Sequence, residues 1–135
     1  MSDSRRLFER IAEYRKAVKR LHDALAQTED DFIRDSIILR FEFTFELAWK
    51  ALKLWLEFKQ VEVKGSKDAL REGLRLGMIE EGAGWTRMQE ERNQTSHTYD
   101  EKIAIEVASF VRREGVVLFD ALDCRFNVIV KGTSV

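Results

Sequence analysis

Between Phe32 and Lys59 the chain runs without a glycine or a proline, and its centre, RFEFTFELAWKALKLWLEF, is mostly apolar. A stretch this long is not a strand, since strands seldom exceed about ten residues. Phe41, Phe43 and Phe45 alternate with the two-residue period of a strand, but the apolar pattern continues through Leu47, Leu52 and Leu56 with nothing to break it. The segment therefore predicts one long helix with apolar residues on more than one face. Such a helix lies at the centre of a bundle, at a subunit interface, or at both.

The flanking sequence agrees with a helical bundle. Leu7, Ile11, Tyr14, Val18, Leu21 and Leu25 fall at alternating steps of four and three, one apolar stripe on a first helix. QTEDD then breaks the pattern, with Asp30 and Asp31 placed for the first turn of the second helix. After it, Gly65 marks a loop, Ser66 is the expected N-cap of a short helix, and that helix ends near Gly77. A fourth helix is expected from about Trp85 to Asn93. Thr98-Tyr99-Asp100-Glu101 reads as a capping box, with Thr98 the cap and Glu101 reaching back. It opens a last helix whose inward series is Ile103, Val107, Phe110, Val117 and Ala121, with Glu114 in one slot. The tail FNVIVKGTSV, residues 126–135, is apolar and then polar, and the pattern does not place it. The expected architecture is an all-α, up-and-down bundle of four to five helices, one domain over residues 1–135.

Composition narrows the function classes. The chain carries a net charge of −1, so no global basic field attracts nucleic acid, and any contact with RNA needs a local patch. One cysteine, Cys124, excludes an internal disulfide and fits a reducing compartment. The start, MSDSRRLFER, lacks the apolar core of a signal peptide, and no uncharged run is long enough to span a bilayer. The expected location is the cytoplasm. With two histidines, one cysteine and no HExxH or CxxC spacing, neither a metal site nor a cofactor is expected. His22 reads as solvated, Cys124 as a buried or half-buried filler, and Trp49, Trp55 and Trp85 as core.

One polar cluster stands apart: RNQTSHTYD, Arg92 to Asp100, between the last two expected helices. In one continuous helix Arg92 and His97 would point about 140° apart. A helix break between them, or a two-fold dimer, brings a guanidinium and an imidazole toward one phosphate. Histidine can take a proton from a ribose 2′-hydroxyl or give one to a leaving 5′-oxygen. Arginine can stabilise the charge that builds on the phosphate, and Asn93 can orient the phosphate or the nucleophile. A plain polar turn that caps a helix accounts for the same residues without any function.

Arg92-Asn93-Gln94-Thr95-Ser96-His97-Thr98-Tyr99 resembles the Arg–x4–His–x–Tyr motif of the HepT-like family within the HEPN superfamily, the small helical partners of minimal nucleotidyltransferases. RDSIILRFEFTFELAWKALKLWLE resembles the family's long second helix, and SKDALREGLRLGMIEEGAGW and ERNQTSHTYDE follow in its order. The resemblance implies a homodimeric bundle with two motifs facing one cleft. It implies a metal-independent ribonuclease toxin of a type VII toxin–antitoxin pair, acting on transfer or messenger RNA. Arg92 and His97 would be catalytic, with Asn93 the polar residue beside them. The cognate nucleotidyltransferase would be the antitoxin, silencing the toxin by attaching AMP to Tyr99. Two rivals stand beside this: a non-catalytic substrate-binding subunit of a two-component nucleotidyltransferase, and a plain dimeric scaffold.

Overall fold

The computed structural model describes residues 2–132, all of them in helices or the short turns between them. The helices are α1 (Ser2–Leu25), α2 (Asp31–Phe58), α3 (Ser66–Arg75), α4 (Gly82–Gln94), α5 (Glu101–Phe110) and α6 (Val116–Gly132). A 3₁₀ turn, Thr95–His97, follows α4, and a π-helical turn, Val111–Gly115, joins α5 to α6 without a loop. The molecule is an all-α bundle with α2 at its centre, packed against α1, α3 and α5.

α2 settles the Phe41, Phe43 and Phe45 alternation in favour of a helix. Phe41 and Phe45 are fully buried, one turn apart, while Phe43 on the opposite side is 53% exposed. Asp30 caps this helix, its carboxylate accepting a hydrogen bond from the Ile33 N–H at 2.8 Å. At its far end Gln60 adopts φ +62°, and the Val61 N–H returns to the Leu56 carbonyl. Gly77, φ +81°, closes α3 in the same way, with the Met78 N–H on the Gly73 carbonyl.

Caps and starts differ from the sequence reading by a residue or more. Gly65, not Ser66, is the N-cap of α3, and the Ser66 hydroxyl instead donates to Gln89 Oε1 at 2.8 Å. α4 begins at Gly82, ahead of Trp85. Asp100, not Thr98, caps α5 and accepts from the Lys102 N–H, while Thr98 Oγ1 turns back to the Thr95 carbonyl. A carboxylate two residues before a free N–H outcompetes a hydroxyl for the cap, so Tyr99 lies before the helix rather than in its first turn.

The last helix departs most from expectation. Val117 is 60% exposed and Ala121 also faces solvent, whereas Gly115, Leu118, Phe119 and Leu122 are buried. A π turn takes one residue more than an α turn, so each slot beyond it moves on by one: Glu114 gives way to Gly115, Val117 to Leu118, and Ala121 to Leu122. The slip brings Phe119 to the centre of an aromatic cluster, 6.3 Å from Tyr14, 6.1 Å from Phe41 and 5.9 Å from Trp85 between ring centres. Phe126 and the rest of the tail through Gly132 continue α6, with Phe126 buried against Tyr14; residues 133–135 lie outside the described part. Arg112, within the π turn, donates to the Leu25 carbonyl at the end of α1 and pairs with Glu29 at 3.1 Å.

Three smaller expectations need correction. His22 is half exposed yet not merely solvated, since its Nε2 lies 2.8 Å from Asp120 Oδ1 on α6. Cys124 is exposed, because the slipped register turns its side of α6 outward. Trp55 and Trp85 belong to the core, but Trp49 is only half buried.

Candidate functional site

Arg92 lies in the last turn of α4 with its side chain 29% exposed. Two neighbours hold the guanidinium: Nη1 donates to Thr95 Oγ1 at 3.1 Å, and Nη2 lies 3.5 Å from Glu46 Oε1 on α2. Thr95 is buried and donates its own proton to the Arg92 carbonyl at 2.7 Å, so its oxygen is oriented to accept from Nη1. Glu46 is itself anchored by Trp49, whose indole N–H donates to Oε2 at 3.2 Å, and Lys50 approaches the same oxygen at 3.9 Å. The Arg92 Nε is buried without a hydrogen-bond partner among the described residues. The arginine is thus set in place rather than solvated.

His97 ends the 3₁₀ turn and is exposed. Its ring meets the Tyr99 ring edge-on, centres 6.1 Å apart, and its nitrogens make no hydrogen bond to the described residues. Tyr99 is 86% exposed. The expected helix break between Arg92 and His97 is present, because α4 stops at Gln94. The Ser96 and Thr98 hydroxyls donate back to the Asn93 and Thr95 carbonyls, occupying acceptors that a continuing helix would use.

The four residues singled out in the sequence do not form one contact network within a protomer. Arg92 joins Thr95 and Glu46, and His97 joins Tyr99. Asn93 turns into the groove between α3 and α4, where its Oδ1 accepts from Gln89 Nε2 at 3.5 Å. Glu46 and Thr95 are the residues that sequence reasoning passed over. The available signal for Glu46 was a carboxylate inside the most apolar segment, three residues before a tryptophan.

Residues 9–127 match the family described as nucleotidyltransferase substrate binding protein like. The chain belongs to this family. This is the HepT-like family that the sequence resembles. A Haemophilus influenzae protein named as a probable ribonuclease HepT is 35% identical over 88 residues, covering 58% of this chain. The match spans 60% of that relative's own length. A crystal structure of a Thermus thermophilus protein superimposes on this HepT-like chain with a TM-score of 0.74 at 30% identity. It covers 83% of this chain and 97% of the other. None of the described helices of this family member is long and apolar enough to cross a membrane.

Proposed function

We propose that this protein is a metal-independent RNA endonuclease of the cytoplasm, the toxin of a toxin–antitoxin pair, cutting transfer or messenger RNA. One observation carries the reading: a half-buried arginine fixed by Glu46 and Thr95 stands one 3₁₀ turn from an exposed imidazole whose nitrogens have no protein partner among the described residues. The fixed cation suits a phosphate whose charge grows in the transition state. The unengaged imidazole suits proton transfer near neutrality. In the reaction the ribose 2′-oxygen attacks phosphorus and loses its proton, and the P–O5′ bond breaks. The departing oxygen gains a proton, leaving a 2′,3′-cyclic phosphate and a 5′-hydroxyl. His97 carries one of the two protons, and Arg92 neutralises the non-bridging oxygens. Asn93, turned into the groove between α3 and α4, orients the part of the substrate that reaches this groove.

A homodimer completes the cleft. Phe41, Phe45 and Leu52 are consumed inside the protomer, but Phe32 and Leu39 on α2 are 83% and 51% exposed. These two, on the first half of α2, are the residues a second copy covers, with Phe43 one turn beyond Leu39 at the open rim of the interface. The dimer sets two copies of the motif against one substrate.

Tyr99 is the control point. Its side chain is almost fully exposed, open to a nucleotidyltransferase. Transfer of AMP from ATP joins the tyrosine oxygen to the α-phosphorus, expels pyrophosphate and releases the phenolic proton. The new phosphodiester anion competes for Arg92, and the adenosine fills the cleft.

The family's description also favours a second reading, a non-catalytic subunit that presents substrate to a nucleotidyltransferase. RNA cleavage by the purified protein separates the two. Under the nuclease reading cleavage survives EDTA, leaves a cyclic phosphate, and is abolished in His97→Ala and Arg92→Ala proteins that remain folded. Incubation with the partner enzyme and ATP then adds AMP to Tyr99 and stops cleavage. Absence of cleavage by the unmodified protein favours the binding subunit.

A further inference from the structure

Several arginines outside this part of the surface meet a carboxylate: Arg15 meets Asp123, Arg34 and Arg112 meet Glu29, and Arg125 meets Glu80. Lys16, Arg20 and Arg40 have no such partner among the described residues. All three line one groove of about 330 Å³ between α1 and α2. The one acid there, Glu13, is engaged by Arg10 at 3.3 Å. Small Ala17 on α1 keeps the groove open. Arg40 Nη1 donates to the Arg20 carbonyl at 2.6 Å, which pins the guanidinium across the helix pair and leaves its other N–H groups available. Phe43 presents an exposed ring beside these cations. In a chain of net charge −1 this is a local concentration of unneutralised positive charge around an aromatic surface.

We propose that this groove binds the backbone of single-stranded RNA leading to or from the Arg92–His97 site. Lys16, Arg20 and Arg40 meet successive phosphates, and a base stacks on Phe43. The inference rests on the reading of the protein as an RNA-cutting enzyme. Phe43 and Glu46 are three residues apart on α2, about 4.5 Å along its axis. Since Glu46 holds Arg92, the groove and the site are two flanks of one helix surface. Only a polymeric anion engages both flanks at once. Cations interleaved with an exposed ring are how single strands are held without reading their sequence. An acidic peptide would use the cations but not the ring.

The test uses fluorescence anisotropy of a labelled single-stranded RNA on His97→Ala protein, so that the probe survives. Lys16 and Arg20 are exposed, so replacing both by alanine leaves the helices intact, as circular dichroism verifies. At low salt the Lys16→Ala/Arg20→Ala protein binds at least tenfold more weakly. The slope of log affinity against log salt becomes shallower by about 1.4, near 0.7 for each lost phosphate contact. Phe43→Ala weakens binding roughly tenfold with the salt slope unchanged. In the cleavage-competent background the double variant slows cleavage of long RNA and leaves that of a dinucleotide unaltered. If wild-type protein cuts nothing, the catalytic reading fails while the anisotropy still decides the groove. Unchanged affinity and slope overturn the proposal. So does a double variant that binds RNA normally but loses self-association or an acidic partner protein, because the groove is then a protein interface.

Discussion

Arg92 on α4 and Glu46 on α2, 46 positions apart in the chain, face each other with Nη2 3.5 Å from Oε1. The carboxylate is tied to Trp49 on its own helix, so the arginine's position is referred to the central helix rather than to the turn that carries it.

Glu46→Gln keeps the shape and removes the charge. The expected result is a roughly ten- to hundredfold fall in kcat for RNA cleavage, from about 1.5–3 kcal/mol of lost positioning. KM and thermal stability stay close to wild type. Full activity in this variant would remove Glu46 from the site.

Leu39→Glu places a charge on the exposed face of α2 without touching the core. It is expected to convert a dimer into a monomer at micromolar concentration in sedimentation velocity, with helicity retained. A variant that stays dimeric moves the interface away from α2.

Tyr14 is buried, and its hydroxyl donates to the Phe119 carbonyl at 2.6 Å. Burial, with Asp123 and Asp120 nearby, raises its pKa well above the ordinary 10.0. A group whose folded pKa is raised contributes stability that is full below the unfolded pKa and declines above it. Stability measured in urea is therefore expected to fall as pH rises past about 10. Tyr14→Phe loses about 1 kcal/mol at neutral pH and shows a flatter alkaline limb; an equally steep limb would acquit Tyr14.

Gln60 holds a left-handed backbone, φ +62°, that costs a non-glycine residue about 1 kcal/mol. Gln60→Gly is expected to raise the melting temperature by a few degrees, with activity unchanged. A lowered melting temperature would mean that the side chain contributes more than the strain costs.

The long helix was legible in the sequence because no breaker interrupts Phe32–Lys59 and length excludes a strand. The first helix was legible because its stripe keeps one period throughout. The last helix was not, beyond Phe110, since a π turn leaves no composition mark: VRREG contains no residue that demands five-residue hydrogen bonding. Hydroxyl-rich Thr98 masked Asp100 as the cap because both are good cap residues and only backbone geometry chooses between them. At the site, residue types in RNQTSHTYD exposed the Arg–His pair and the break between them. The Glu46 anchor stayed hidden, because it depends on which helix packs beside α4.

The π turn is one residue of slack wound into a continuous rod. Surface loops usually supply such slack, but no loop lies between α5 and α6. Removing one residue between Val111 and Gly115 would let the turn close as an ordinary α turn, with Leu118, Phe119 and Leu122 still facing the core. The same removal at Asp120, beyond the turn, finds no spare residue and would carry Leu122 and Phe126 out of the core. The least regular segment of these two helices is therefore the place where a residue can be lost.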